Sequence, residues 1–123
     1  LTAKNEDTPY IQMQGNLVFR FAVKVLEESA RILLDRHSLT ARDIHWLVPH
    51  QANQRILDAT ARKLGIGPDK LISTVDQHAN TSAASIPLAL ASGIGDGRIR
   101  KGQLILMEAI GGGLAWGAAL ARL

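Results

Sequence analysis

The chain has 123 residues, 14 Lys+Arg against 11 Asp+Glu, and no cysteine; that length suits one domain, and the absence of thiols excludes a disulfide framework. A hydrophobic content of 46% fits a packed core rather than a disordered tail, and no apolar run reaches the ~18 residues a membrane span needs. The net charge of +3 is mild and the five aromatic residues are scattered, so a nucleic-acid partner and a membrane are both argued against.

Residues 1–9 read as a polar connector ending at Pro9. It starts at Leu1 rather than methionine, which suggests a processed or truncated end, and it lacks the basic-then-apolar order of a signal peptide. A cytoplasmic location is the resulting expectation. Tyr10–Gln14 (YIQMQ) alternates apolar and polar residues as a half-buried strand does. Gly15 and Asn16 interrupt it, with Asn16 placed to cap the next segment. From Leu17 to His37, Arg20, Lys24, Glu27, Glu28, Arg31 and Asp35 recur at steps of three and four opposite Val18, Ala22, Val25, Leu26, Ala30 and Leu33. That pattern predicts an amphipathic helix with Lys24/Glu28, Glu27/Arg31 and Arg31/Asp35 pairs.

Thr40–Asp43 (TARD) reads as a short capped turn. Ile44–Val48 is strand-like and stops at Pro49, Asn53–Leu64 is a second helix ended by Gly65, and Leu71–Val75 is another short strand. Thr81–Ile94 carries no charge on any face, and such a helix has to be buried on all sides, with Pro87 in its first turns or at a kink. Gln103–Ile110 and Leu114–Leu123 read as strands meeting at Gly111–Gly113, most simply a hairpin. The order implies an α/β layered fold with a mostly parallel sheet. A charge-free helix between sheets also implies more sheet than this chain supplies, so residues 10–123 are expected to be half of a larger unit, the alternative being a self-contained small domain with one well-buried helix.

The chemistry-bearing residues sit at strand-to-helix junctions. His50 follows Pro49 in VPHQAN, and Asn80 stands in QHANTSAAS thirty residues on. Ligands of α/β sheets gather at the carboxyl ends of parallel strands, so the two side chains are candidates to converge on one crevice. A neutral imidazole N–H and a carboxamide are both donors that need no charge, and aimed at one carbonyl oxygen they form an oxyanion hole. The four histidines, His37, His45, His50 and His78, match no metal-binding spacing. Asn80-Thr81-Ser82 matches a glycosylation sequon, read here as idle. Gly111–Gly113 has two open readings, a flexible turn or a close backbone approach to a ligand with amide donors. Gly93–Gly97 reads as a helix end plus turn, without the Lys-Ser/Thr of a phosphate loop. Arg55 and Arg62, seven apart, with Lys63 beside them and Arg20 in the first helix, are either a solvated face or a docking patch for an acidic partner.

Taken in order, WLVPHQANQRI, HANTSAAS and GQLILMEAIGGGLAWGAAL resemble the C-terminal half of the β-ketoacyl-acyl-carrier-protein synthase III family, with the similarity running from about Tyr10 to Leu123. The resemblance implies a thiolase-like fold of two pseudo-symmetric halves, with helices sandwiched between two sheets. It implies a Cys-His-Asn site in which His50 and Asn80 are the catalytic His and Asn, the cysteine belonging to an N-terminal half absent here. Gly112 would supply an oxyanion N–H. Gly15, Phe19, Ala52 and Asn53 would line the CoA/pantetheine channel, and Arg20, Arg55, Arg62 and Lys63 would bind the acidic acyl-carrier protein (ACP). The implied reaction joins acyl-CoA to malonyl-ACP by decarboxylative condensation, with no cofactor or metal, in a cytoplasmic homodimer. Ile110 stands where the family often has phenylalanine, which leaves the acyl primer open. Two alternatives remain: another thiolase-superfamily condensing enzyme using CoA thioesters, such as a type III polyketide synthase or hydroxymethylglutaryl-CoA synthase, or a catalytically incomplete ACP-binding or assembly fragment.

Overall fold

The computed structural model describes residues 15–123; the connector expected over 1–9 and the strand expected over 10–14 lie outside them. Helix α1 (Gly15–Arg36) buries Ala22, Val23, Val25, Leu26, Ala30 and Leu34 along one stripe. It begins two residues before the expected start, so Asn16 lies in the first turn and does not cap it. The Lys24–Glu28 and Arg31–Glu27 pairs form at 3.9 and 3.0 Å. The Arg31–Asp35 pair does not form, because the other arm of Arg31 donates to the Lys63 carbonyl at 2.7 Å. Asp43 accepts from the Thr40 N–H at 2.7 Å, closing the capped turn over Ala41–Asp43.

Strand β1 (Trp46–Pro49) leads into helix α2 (Gln54–Leu64), which Asn53 caps by accepting from the Ile56 N–H at 3.0 Å and Gly65 ends at φ 72°. A one-turn helix α3 (Val75–His78) and a short 3₁₀ turn over Ser82–Ala84 precede helix α4 (Ser85–Gly95). Strands β2 (Leu104–Gly111) and β3 (Ala115–Arg122) form the expected hairpin. Among the described residues no helix is long and apolar enough to cross a membrane.

The sheet is mixed, not mostly parallel. Its order is β1-β2-β3, with β1 parallel to β2 and β2 antiparallel to β3 in register from Leu104↔Arg122 to Gly111↔Ala115. A parallel return needs a crossover of a dozen or more residues, and the glycine turn is far shorter. The strand expected over Leu71–Val75 is also absent. Only an isolated bridge joins Leu71 to Leu47, and the side chain of Gln51 then takes the place of a neighbouring strand. Its amide donates to the Ile72 and Pro49 carbonyls at 3.1 and 2.9 Å, while its oxygen accepts from the Thr74 N–H at 2.7 Å.

Alternation along the strands sends side chains to opposite faces. On one face Leu47, Leu104 and Leu106 meet Ala30 and Leu34 of α1 and Ala61 and Leu64 of α2. On the other, Val48 and Ile105 meet Ala89 of α4 together with Ile72 and Ile99. Leu47, Val48 and Leu106 are fully buried. At about 1.5–3 kcal/mol for each such side chain, β1 is anchored on both faces just before His50. Helix α4 turns Ser85, Ala89 and Gly93 to the sheet, and a Cβ on Gly93 would come within 2.6 Å of Ile99 Cδ1, so the helix sits close. Its opposite stripe is uncovered, with uncharged Pro87, Ala91 and Ile94 exposed. Burial on all sides is therefore not met within the described residues; one stripe is covered and one is open.

Candidate active site at the end of the first strand

His50 is the first residue beyond β1. Its N–H donates to the Glu108 carbonyl of β2 at 2.7 Å, and its own carbonyl accepts from Ala52 N–H at 2.9 Å. The backbone is thus clamped from the sheet side and turned at once toward α2. Imidazole Nδ1 lies 2.6 Å from Ser85 Oγ at the start of α4. The ring is partly buried, and desolvation holds its pKa below the ordinary 6.5. A histidine in that state is neutral at pH 7 and carries one N–H donor.

Asn80 lies between α3 and α4, exposed. Its Oδ1 accepts from the Ser82 N–H at 3.0 Å, an Asx-type turn that commits the oxygen and leaves the amide nitrogen as the donor. The flanking residues Ala79 and Ser82 hold φ of 55° and 52°, a region L-residues enter at a cost of about 1–3 kcal/mol each. No hydrogen bond joins His50 to Asn80 among the described residues; Ser85, five positions after Asn80, ties the asparagine segment to the histidine ring. Gly112 sits in the exposed hairpin turn, beyond the carboxyl ends of β1 and β2, the same end of the sheet as His50. Within that turn Gly113 has the positive φ, at 134°.

Gly15, Phe19 and Asn53 do come together, in an open cleft of about 360 Å³ between the first turns of α1 and α2, which Arg55 also lines. Ala52 is not part of that lining. It packs beneath, with Phe19 and Ile110, against Ala22, Leu26 and Ile56. The Asn53 Oδ1 is occupied by its capping bond. Arg55 stacks on the Phe19 ring with its guanidinium carbon 5.1 Å from the centroid, so a cation covers the apolar side of the cleft. Arg20, Arg62 and Lys63 are exposed and outside the cleft lining; Arg62 and Lys63 lie two turns along α2, about 10 Å from Arg55. None of these four cations is in a salt bridge among the described residues.

Three residues of this region were not singled out from sequence. Gln51 and Ser85 hold the backbone and ring around His50. Glu108, on the strand that accepts the His50 N–H, is 1% exposed with neither carboxylate oxygen partnered among the described residues; desolvation pushes its pKa up to about 8. An acidic residue on the inward side of an otherwise apolar strand was the available signal for Glu108. No spacing rule marks the other two. His50 at the carboxyl end of β1 and Asn80 in the segment tied to it through Ser85 are two donors of the kind that suits binding of a carbonyl oxygen that gains negative charge. They include no nucleophile, since the chain has no cysteine.

Comparison with known proteins identifies the family. The family model for the C-terminal part of 3-oxoacyl-[acyl-carrier-protein] synthase III matches residues 34–123. The β-ketoacyl-[acyl-carrier-protein] synthase III of Laribacter hongkongensis is 55% identical over 112 residues, 91% of this chain and 35% of the relative. That of Acidiphilium cryptum is 53% identical over 121 residues, 98% of this chain and 38% of the relative. The crystal structure of 3-oxoacyl-[acyl-carrier-protein] synthase III from Aquifex aeolicus superposes with a TM-score of 0.92 at 43% identity, covering 96% of this chain and 38% of that one. The chain spans little more than a third of the length of the relatives it matches.

Proposed function

This chain belongs to the 3-oxoacyl-[acyl-carrier-protein] synthase III C-terminal family, and from that premise we propose that it supplies the His/Asn half of a condensing site that makes β-ketoacyl-ACP. The observation that carries the reading is the neutral, clamped His50 at the carboxyl end of β1, with the Asn80 segment fastened to it through Ser85. The nucleophilic cysteine comes from an N-terminal half that packs over the uncharged outer stripe of α4. Complete subunits pair as a cytoplasmic homodimer, with no nucleic-acid or membrane partner.

The reaction runs in two stages. The cysteine thiolate attacks the acyl-CoA carbonyl, and CoA leaves as its thiolate; the Gly112 N–H is a candidate donor to the oxyanion of this stage. Malonyl-ACP then enters through the cleft of Gly15, Phe19 and Asn53, with Ala52 beneath it. The acidic carrier docks on Arg20, Arg55, Arg62 and Lys63, where unpaired cations raise the encounter rate. Loss of carbon dioxide leaves the electron pair of the broken C–C bond on the thioester as an enolate. His50 N–H and Asn80 N–H donate to its oxygen as charge develops, each worth about 2.7–4 kcal/mol in the transition state. The enolate carbon bonds to the acyl carbon and the cysteine sulfur leaves. A neutral imidazole serves as a donor throughout, with no metal or redox cofactor called on.

The test is condensation of acyl-CoA with malonyl-ACP by the protein carrying both halves, its intact mass checked first against the 13.3 kDa of these residues. His50→Ala and Asn80→Ala are each expected to slow condensation about 10²–10³-fold. Unchanged condensation in both variants would refute the assignment. An intact mass of 13.3 kDa with no co-purifying half would leave an ACP-binding fragment as the remaining activity, and turnover with a free CoA acceptor in place of ACP would move the protein to a CoA-dependent relative.

A further inference from the structure

We infer that Ser85 is a positioning residue that sets the tautomer of His50, donating a hydrogen bond from its hydroxyl to Nδ1 and keeping the single ring proton on Nε2. The inference rests on the condensing site proposed above and assigns the atom that performs its hydrogen bonding.

Ser85 opens α4 and is 2% exposed. Its Oγ has two partners among the described residues, His50 Nδ1 at 2.6 Å and the Gln51 backbone N–H at 3.2 Å. The second partner is a donor and nothing else, so one Oγ lone pair is already used. A hydroxyl has one proton to give. If Nδ1 were protonated, Oγ would accept twice, and its own buried proton would have no acceptor. If Nδ1 is bare, the hydroxyl donates its hydrogen bond there and every group is satisfied, as buried polar groups generally are. The local alternative for a serine in a first helical turn, a bond back to a carbonyl one turn earlier, is not made, and the Thr81 carbonyl accepts from the Ala84 N–H instead.

The chemical consequence is direct. A neutral imidazole has one donor and one lone pair, and the partner of one nitrogen decides the role of the other. With Nδ1 accepting from Ser85, Nε2 presents N–H to a developing oxyanion. The opposite tautomer presents a lone pair to the same oxygen and repels it. Gln51 makes the arrangement rigid, because its backbone holds Ser85 Oγ while its side chain bonds to Pro49, Ile72 and Thr74. Ser85 transfers no proton during the reaction and stays neutral.

The experiment is nitrogen-15 NMR of the histidine side chains in the full-length protein carrying this chain, alongside condensation kinetics with malonyl-ACP. Wild type is expected to show His50 protonated at Nε2 above pH 7. Ser85→Ala is expected to shift the ring toward the Nδ1 tautomer and to lower kcat on the order of 10- to 100-fold, a partial loss set against the ~10²–10³-fold for removing an oxyanion donor outright, with KM little changed because the lost donor acts in the transition state. Ser85→Thr keeps the hydroxyl and is expected to restore both tautomer and rate. Retention of the Nε2 tautomer and wild-type kcat in Ser85→Ala overturns the inference, and so does an Nδ1-protonated ring in Ser85→Thr. If His50→Ala condenses at full rate, the proposed function fails instead; if His50→Ala is inactive while Ser85→Ala keeps the tautomer, only the Ser85 assignment fails.

Discussion

Glu108 makes the stability of this fold depend on pH in a way a neutral isostere removes. Its carboxyl is held in the layer under α1 and α2, between Leu106 and Ile110 on β2, and neither oxygen finds a partner among the described residues. The folded pKa of about 8 stands against an ordinary 4.5. Below pH 4.5 the group is protonated folded or unfolded and carries no penalty. Between 4.5 and 8 only the folded state keeps the proton, so stability falls as pH rises, by about 1.4 kcal/mol per pH unit. Across that window the loss reaches about 5 kcal/mol and then levels off. Glu108→Gln mimics the protonated acid at every pH. Urea denaturation of wild type and Glu108→Gln, in the protein carrying this chain, at pH 5, 6.5 and 8, reads the difference between them, in which the opposite contribution of His50 cancels. The variant is expected to gain on wild type steadily as pH rises, by several kcal/mol in all. Parallel curves from pH 5 to 8 would mean the carboxylate finds compensation in the folded state, and the reasoning fails.

Gln51→Leu removes the carboxamide that satisfies the Ile72 carbonyl and Thr74 N–H. Leaving two buried groups unpaired is expected to cost about 2–5 kcal/mol, read as a lowered denaturation midpoint, and a midpoint within error of wild type would show that the segment re-pairs. Arg55→Glu is expected to weaken binding of an acidic carrier protein with a loss that shrinks at high salt, while His50→Ala leaves that binding intact; equal binding by Arg55→Glu and wild type would return the basic face to a solvated role.

How much of this was legible before the fold was known follows from the range of each interaction. Periodicity is a local property, so α1, α2, the hairpin and the helix stop at Gly65 could be read from runs of a few residues, whereas the cap at Asn53 was read as the helix's first residue. The charge-free stretch before Ile94 marked a helix with an apolar surface for the same reason, but only one of its stripes is covered among the described residues. His50 and Asn80 could be singled out as candidate donors because each sits at a junction with a recognisable punctuation, Pro49 in one case and the Asn-Thr-Ser run in the other.

What only the tertiary structure decided depends on partners distant in sequence. Leu71–Val75 has strand composition, but a strand exists only with neighbours, and the side chain of Gln51 occupies the bonds a neighbour would make. The sheet is mixed because a three-glycine turn can only fold back. Ser85 is thirty-five residues from His50, and a serine in a run of small residues carries no local mark of the ring it touches. Glu108 reads as one charge in an apolar strand until the helices close over it, and burial then alters its proton affinity. Local spacing determined which residues were candidates for chemistry; long-range packing determined which nitrogen, oxygen and proton each presents.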